Sequence, residues 1–324
     1  MDIERLELQT PAKVNLFLGV SPGTQEGYHQ LNSVFHTVDL TDTLIFEPAP
    51  YFEVITEGMD IPQEQNIAYK AGLGFARVCG PKFCLSNGFI ESEEGVFEPP
   101  FRITIIKNIP SGAGLGGGSS NAAAVLYGLA HIYDNVDKQG RLIYDLARSL
   151  GSDVSFFLQG GAALMEGRGD RVSAVLPAID APIVLLKPEE SVSTPLAYKT
   201  FDTAPIIPPT PDQMVQALED GNVAAVGAAL YNNLAPAAMQ IEPQVQAVYK
   251  ALAKTSGVYG ALVSGSGSTV FALCETDERA EEIAHIGRES GLWGYATRIC
   301  ESSICISDEQ RRAPQSSRTA RLWR

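Results

Sequence analysis

The sequence predicts a mixed fold of strands and helices with room for two domains, and three observations predict it. At 324 residues the chain is long enough to build more than one core. Short alternating apolar runs of strand type are interleaved with longer runs of helical spacing along its length. Glycine-rich loops interrupt that alternation at two places, Pro110–Ser120 and Ser264–Ser268, each directly after a strand-like run.

Taken in order, residues 6–20 read as strands around a short break. Within Pro11-Ala12-Lys13-Val14-Asn15-Leu16, the period of two puts Lys13 and Asn15 on one face of an apolar strand. An inward lysine needs a partner or a job, and the alternative is a surface lysine whose stem covers apolar neighbours. A turn-rich link, Gly23–Gly27, leads to Tyr28-His29 and a strand over Val34–Val38. That pair suits stacking on a flat ring and donating to it; a packed tyrosine with a solvated histidine is the other reading. Asp42–Phe46 and Phe52–Thr56 read as strands, and Asn66 opens a helix to Cys79. Residues 86–100 read as an acidic, poorly periodic loop.

Phe101–Lys107 alternates as a half-buried strand does. After the glycine loop, Ala122, Val125, Leu126, Leu129, Ala130 and Tyr133 recur at helical spacing, with Ser119 or Ser120 as N-cap. Strand, glycine loop and helix start together make an anion cradle: glycines allow close approach, and the helix offers unpaired N–H groups and a positive dipole end. Nucleotide phosphates are the ligand such a cradle fits best. A Walker A loop needs Lys then Ser or Thr after its last glycine, and Gly118-Ser119 follow Gly117 instead. The dinucleotide fingerprint is matched by Gly112, Gly114 and Gly117, but its distant acidic residue would fall at a helix end rather than on a second strand. A protein-kinase loop lacks its V-A-I-K and H-R-D companions here. A mere tight turn needs fewer glycines than these.

A second helix over 142–150 is closed by Gly151, and Asp153 follows it, next to the apolar run Val154–Leu158. A carboxylate there is costly unless paired; a helix-cap or turn aspartate is the alternative. Gly160-Gly161, a strand over Ala162–Met165 and a turn at Gly167-Arg168-Gly169-Asp170 come next. Ile183–Lys187 reads as a buried strand, and Ser193–Tyr198 as a loop entering a helix. Thr210 and Pro211 read as N-cap and first residue of a further helix, with two more near 221–231 and 242–255. Strands Gly260–Val263 and Thr269–Leu273 flank the second glycine loop, whose serines suit a polar ligand or contact with the first loop. A helix near 277–290 and a strand near 294–299 close the order, and residues 308–324 read as a disordered tail.

A net charge of −14 argues against a nucleic-acid surface, so an anionic ligand must be held by local cradles. Five cysteines, an odd number without dense spacing, imply no disulfide framework, and four histidines do not complete a zinc pattern. No signal-peptide start and no apolar run of membrane length occur, which points to a cytoplasmic protein with no membrane partner.

The loop pattern P-x-x-x-G-L-G-x-G-S-S-x-A resembles the phosphate loop of the GHMP small-molecule kinases. Three further motifs stand in that family's order: Pro-Ala-Lys13-Val-Asn15-Leu, Gly-Ser-Asp153-Val-x-Phe-Phe and Gly265-Ser-Gly267-Ser. The block Gly27-Tyr28-His29-x-Leu-x-Ser, with Asp39-Leu40-x-Asp42, is similar to the branch that acts on a cytidine-diphosphate polyol in isoprenoid precursor synthesis. The resemblance runs from about residue 8 to 306. Ser155 stands where the family has proline, and the 86–100 segment is longer than usual.

The resemblance implies an α+β fold in two lobes. A ribosomal-S5-like, ATP-binding lobe covers 1–160, a ferredoxin-like lobe covers 161–307, and substrate lies between. It implies ATP phosphates on Pro110, Gly112, Gly114, Leu115, Gly116, Gly117, Gly118, Ser119 and Ser120, with adenine near Asn66, Ile67 and Lys107. Asp153 is implied as general base with Lys13 as its partner. Asn15, Gly265 and Ser266 would hold the small-molecule substrate, Tyr28 and Tyr198 would sandwich its cytosine, and His29 would read the base edge. Mg²⁺ is expected with ATP, helped by Ser119 or Ser120, without a dedicated carboxylate ligand. A monomer or homodimer is expected. Mevalonate, homoserine or a sugar as substrate, and a non-catalytic sensor of the same fold, stay open as alternatives.

Overall fold

A computed structural model describes residues 4–25, 27–92, 95–133 and 136–307; the expected tail at 308–324 lies outside them. The chain opens with two long strands, β1 (Leu6–Val20) and β2 (Leu31–Pro48), paired antiparallel along most of their length. The break expected within residues 6–20 is a pair of register shifts, at Pro11/Ala12 and Asn15/Phe17, inside one continuous strand. Next come β3 (Glu53–Thr56), α1 (Ile67–Cys79), α2 (Pro81–Ser86), β4 (Ile90–Glu91), β5 (Phe97–Glu98) and β6 (Phe101–Ile106). The 86–100 segment, read as a plain loop, therefore carries the end of a short helix and a small β4–β5 hairpin; Glu93 and Glu94 lie outside the described residues.

The helices α3 (Gly117–Ile132), α4 (Val136–Leu150) and α5 (Val154–Gln159) follow, then β7 (Ala162–Glu166), β8 (Arg171–Leu176) and β9 (Ala181–Lys187). After them stand α6 (Thr194–Phe201), α7 (Asp212–Glu219), α8 (Val223–Ala228), β10 (Tyr231–Asn232), α9 (Ala235–Ile241) and α10 (Pro243–Leu252). The chain ends with β11 (Val258–Val263), β12 (Val270–Cys274), α11 (Asp277–Glu289), β13 (Trp293–Ile299) and β14 (Cys305–Ile306). The helix expected to start on Thr210 and Pro211 begins at Asp212 instead, because the Thr210 hydroxyl donates to the Asp212 carboxylate at 2.7 Å and caps no amide.

Twelve strands form one sheet whose spine runs β10-β1-β2-β13-β9-β12-β11. β2 organises it. Ser33–His36 pair with β7, Thr43–Pro48 pair with β6, and Val38 meets Ile299 of β13. The expected lobe boundary falls at the Gly160-Gly161 turn between α5 and β7, and β7 returns from that turn onto β2.

The core of the first half packs α1, α3, α4 and α5 on the sheet through Phe46, Phe75, Leu126, Phe156 and Phe157, all closed to solvent. Burying side chains of this size stabilises by roughly 1.5–3 kcal/mol each. A separate core under α6, α9, α10 and α11 uses Val184, Val270, Ala272, Leu252 and Ile283. Two starts show why the chain turns helical where it does. Asn66 accepts from the Ala68 amide ahead of α1, and Thr276 accepts from Arg279 ahead of α11, whose first turn holds Asp277 and Glu278.

Candidate active site

Lys13 lies on β1 with its side chain 5% exposed, and the structure supplies the partners such a charge requires. Its Nζ donates to Asn15 Oδ1 at 2.7 Å, stands 3.4 Å from Asp153 Oδ2 and lies 4.7 Å above the centre of the Phe35 ring. Asn15 is fixed in turn, because its Nδ2 donates to Ser33 Oγ at 3.0 Å. The same-face reading of Lys13 and Asn15 thus becomes a direct hydrogen bond.

Asp153 occupies the N-cap position of α5, yet its side chain accepts no capping bond. The cap reading fails for that reason, and the carboxylate is spent on Lys13. Its side chain is 26% exposed, enough to meet a ligand from the cleft.

The cradle is anchored from below. The Lys13 amide donates to Leu115 O at 3.0 Å, and Thr10 Oγ1 donates to Ser120 O at 3.1 Å. Helix α3 starts earlier than expected: its N-cap is Gly116, at φ 73°, so Ser119 and Ser120 lie inside the first turn. No side chain caps this end, which leaves its first N–H groups directed at the loop. Ser120 is fully buried: its hydroxyl donates to Pro11 O at 2.6 Å and its amide to Gly116 O at 2.9 Å, so the residue braces the loop from behind and, against expectation, offers a ligand neither group. Ser119 is half-buried, and a Cβ on Gly151 would find its Oγ at 3.8 Å. Leu115 is 1% exposed and serves the core, whereas Pro110 and Gly112 stand at the loop's outer end.

Asn66, Ile67 and Lys107 gather around the same helix start. A methyl group placed on Gly118 would find Ile67 Cγ2 as its neighbour at 3.8 Å, and one on Gly117 would lie 2.9 Å from Lys107 Nζ. Asn66 is committed to capping α1. Lys107 is ion-paired with the buried Asp42 and donates to Asn121 Oδ1 at 3.1 Å. Asp42 also accepts from the amides of Asn108 and Ile109, at 2.8 and 2.9 Å, and so clamps the entry to the glycine loop.

The second glycine loop is more than a hairpin turn. Ser264 Oγ donates to Gly114 O at 2.9 Å and the Thr269 amide to Ala113 O at 3.2 Å, locking the two loops together. Gly114 has φ 76°, and a Cβ on it would stand 2.2 Å from Ser264 O. Ser266 Oγ meets Thr194 Oγ1 at 2.7 Å, which brings the start of α6 to the same place.

Lys13, Asn15, Tyr28, His29, Asp153, Tyr198, Gly265 and Ser266 all line one cleft of about 640 Å³. Within it, His29 stacks on Tyr198 with ring centres 5.2 Å apart and 18° between planes. Both His29 nitrogens face acceptors: Nδ1 lies 3.1 Å from Ser21 O and Nε2 lies 3.3 Å from Asp202 Oδ1. The imidazole therefore backs Tyr198, while Tyr28 stands 54% exposed at the rim. Burial, and then the nearby charge of Asp153, push the Tyr198 hydroxyl up to about 12, so it stays a neutral donor.

Sequence reasoning passed over several residues here. Arg168, read only as part of a turn, lies over the Tyr28 ring at 4.9 Å, and Ser33, Phe35, Thr194 and Asp202 each hold a neighbour of the cleft in place. The inward face of β2 was the available signal for Ser33 and Phe35; nothing local marked the others. Among the described residues no group of three or more His, Cys, Asp and Glu side chains is arranged to hold a metal, and no helix is long and apolar enough to cross a membrane.

Comparison with known proteins gives a consistent picture. The model described as "GHMP kinases N terminal domain" matches residues 84–161, and "GHMP kinases C terminal" matches residues 214–291. A Listeria innocua protein named 4-diphosphocytidyl-2-C-methyl-D-erythritol kinase is 35% identical over 301 residues, covering 91% of this chain and 94% of its own. A Pelotomaculum thermopropionicum protein of the same name is 36% identical over 278 residues, covering 84% and 90%. The crystal structure of a 4-(cytidine 5'-diphospho)-2C-methyl-D-erythritol kinase superposes with a TM-score of 0.72 at 32% identity, over 92% of this chain and 100% of that one. A homoserine kinase from Cytophaga hutchinsonii superposes at 0.67 with 17% identity, over 95% and 98%, and is a likeness of fold.

Proposed function

The chain belongs to the GHMP kinases, among those named 4-diphosphocytidyl-2-C-methyl-D-erythritol kinase, and from that premise we propose how its own residues carry the phosphoryl transfer. It is an ATP-dependent kinase of a small-molecule alcohol in isoprenoid precursor synthesis. The acceptor is the 2-hydroxyl of the cytidine-diphosphate polyol. Asp153 takes the proton of that hydroxyl as its oxygen bonds to the γ-phosphorus, and the bond from that phosphorus to ADP breaks. Lys13 holds Asp153 in place through their ion pair, and offsets charge that builds on the transferred group. The observation that carries this reading is the Lys13–Asp153 pair, 3.4 Å apart in the cleft that Tyr28, His29 and Tyr198 also line.

Nucleotide phosphates lie along the loop from Pro110 and Gly112 through Gly114–Ser119, with the open N-terminus of α3 facing them. Adenine lies toward Asn66 and Ile67, while Lys107 works mainly through Asp42 to hold the loop's entry. Mg²⁺ would arrive with the nucleotide and be held mainly by its phosphates, with Ser119 beside it, because among the described residues no group of three or more His, Cys, Asp and Glu side chains is arranged to hold a metal; when bound it would neutralise charge on the phosphate oxygens. Asn15, Gly265 and Ser266 hold the polyol end, and Tyr28 and Tyr198 the cytosine, with His29 supporting Tyr198 beside the base edge. The same reading makes the protein a cytoplasmic monomer or homodimer without nucleic-acid partners, consistent with a charge of −14.

A coupled ADP-release assay with MgATP tests the assignment. The cytidylylated methylerythritol, free methylerythritol phosphate, mevalonate and homoserine are offered in turn, with Asp153→Ala as control. Turnover is expected only with the cytidylylated compound. Turnover with one of the other alcohols instead would reassign the substrate.

A further inference from the structure

The turn Gly167–Asp170 is built to a standard that a plain β7–β8 connection does not require. Gly167 and Gly169 both have positive φ, 71° and 80°, so the chain reverses tightly around Arg168. Gly167 O accepts from the Leu31 amide at 2.7 Å, which docks the turn beside the loop that carries Tyr28 and His29. From there the Arg168 guanidinium covers the Tyr28 ring at 4.9 Å. One of its terminal nitrogens also lies 3.4 Å from both Asp170 Oδ2 and Arg148 O.

Asp170 is the hub beneath. It is 5% exposed and receives Arg148 Nη2 at 3.0 Å and the Arg168 amide at 3.2 Å. Burial disfavours its charge, but the two arginines and the amide outweigh that and hold the carboxyl below its usual range. Ser155, fully buried on α5, donates to Asp170 O at 2.8 Å. That hydroxyl stands two residues from Asp153, on the helix that Asp153 precedes.

We propose that Arg168 is a positioning residue for substrate specificity: it holds the Tyr28 ring as one wall of the base pocket, while Ser155, through Asp170, ties that wall to the helix beginning at Asp153. The inference rests on the reading above that Tyr28 contacts the cytosine. Tyr28 is more than half exposed, its backbone bridges to Gln25, and this guanidinium covers one face of its ring. The planar group matters more than its charge, because a guanidinium stacks on a ring where an ammonium remains strongly hydrated.

The test is a double-mutant cycle of Arg168→Met and Tyr28→Ala, read as KM for the cytidine-diphosphate substrate, kcat and KM for ATP. Arg168→Met should raise the substrate KM by about fivefold, leaving kcat and the ATP KM within about twofold. In the Tyr28→Ala background it should add nothing. Arg168→Lys should resemble Arg168→Met. Independent, multiplicative effects would mean that Arg168 touches the substrate directly, and a Lys variant that behaves as wild type would mean that its charge alone matters; either result overturns the proposal. A parallel fall in kcat and in ATP affinity would mark the turn as a general strut and overturn it too. If Tyr28→Ala alone leaves the substrate KM unchanged, the base-contact reading itself fails and the proposal falls with it.

Discussion

Lys13 Nζ and Asp153 Oδ2 stand 3.4 Å apart, although one group comes from the first strand and the other from the start of a helix beyond the whole glycine loop and α3. The contact exists because Lys13 donates its amide to Leu115 in the glycine loop, while the loop's helix packs on α5. A buried lysine and a carboxylate freed from capping answer each other's desolvation. Asp153→Asn should lower kcat by about 10²-fold or more, and Lys13→Met by a similar factor, with nucleotide binding retained. Steady-state kinetics with a fluorescent nucleotide titration separates the two; a change confined to substrate KM would remove Asp153 from the chemistry.

The two glycines of the cradle should respond oppositely to alanine. Gly114→Ala forces an L-residue to φ 76° and drives its Cβ to within 2.2 Å of Ser264 O, so a loss of about 2 kcal/mol or more is expected. Gly118 has an ordinary backbone and its nearest neighbour 3.8 Å away. Gly118→Ala should melt as wild type but show a raised KM for ATP, because the methyl group occupies space next to the phosphates. Thermal melts alongside ATP kinetics decide it, and a Gly118 variant with unchanged ATP KM would move the phosphates off this turn.

Asp42 is fully buried against Lys107 and bonded to two backbone amides. Asp42→Asn leaves the lysine charge without its counter-ion, which costs about 3–5 kcal/mol where one member of a buried pair is lost. Urea denaturation should show that loss, and replacing Lys107 together with Asp42, by Met and Asn, should cost less than Asp42→Asn alone.

His36 is fully buried in a neutral tautomer: Nδ1 donates to Thr37 O at 2.9 Å and Nε2 accepts from the Ile179 amide at 3.0 Å. Burial is the main cause that holds its pKa down at about 4, against 6.5 in the unfolded chain, with the Thr37 bond acting the other way. Between those values the unfolded state binds the proton and the folded state does not. Stability is therefore complete above pH 6.5 and falls as pH drops toward 4, by up to about 1.4 kcal/mol per pH unit. Unfolding free energies at pH 7 and pH 5 should differ more for the wild type than for His36→Gln; equal differences would show that the imidazole titrates freely when folded.

Much of this arrangement was legible in the chain, and the parts that were not share a cause. Lys13 and Asn15 could be put on one face because a strand's period is exact enough over three residues. Asp153 could be flagged because a carboxylate beside Val154–Leu158 needs company. The helix start was misplaced by the adjacent serines, which look like caps, while Gly116 at φ 73° lets the chain enter the helix earlier. Which serine faces the loop depends on helix phase, and phase puts Ser120 beneath Pro11. Arg168 was invisible for a different reason. Its meaning depends on β7 returning to β2 in a register that sets the turn beside Leu31, and no local pattern encodes a pairing between distant strands.

The continuity of the sheet under both halves bears on how ligands can be joined. β1 carries Lys13 and Asn15, and its partner β2 follows directly from the loop of Tyr28 and His29, so the proposed phosphate and base sites are tied to one hydrogen-bonded ladder. Their spacing is set by strand register rather than by a hinge. For an inhibitor chemist this makes the protein a ruler: a compound linking a phosphate mimic to a pyrimidine has one matching tether length, and affinity should fall on either side of it.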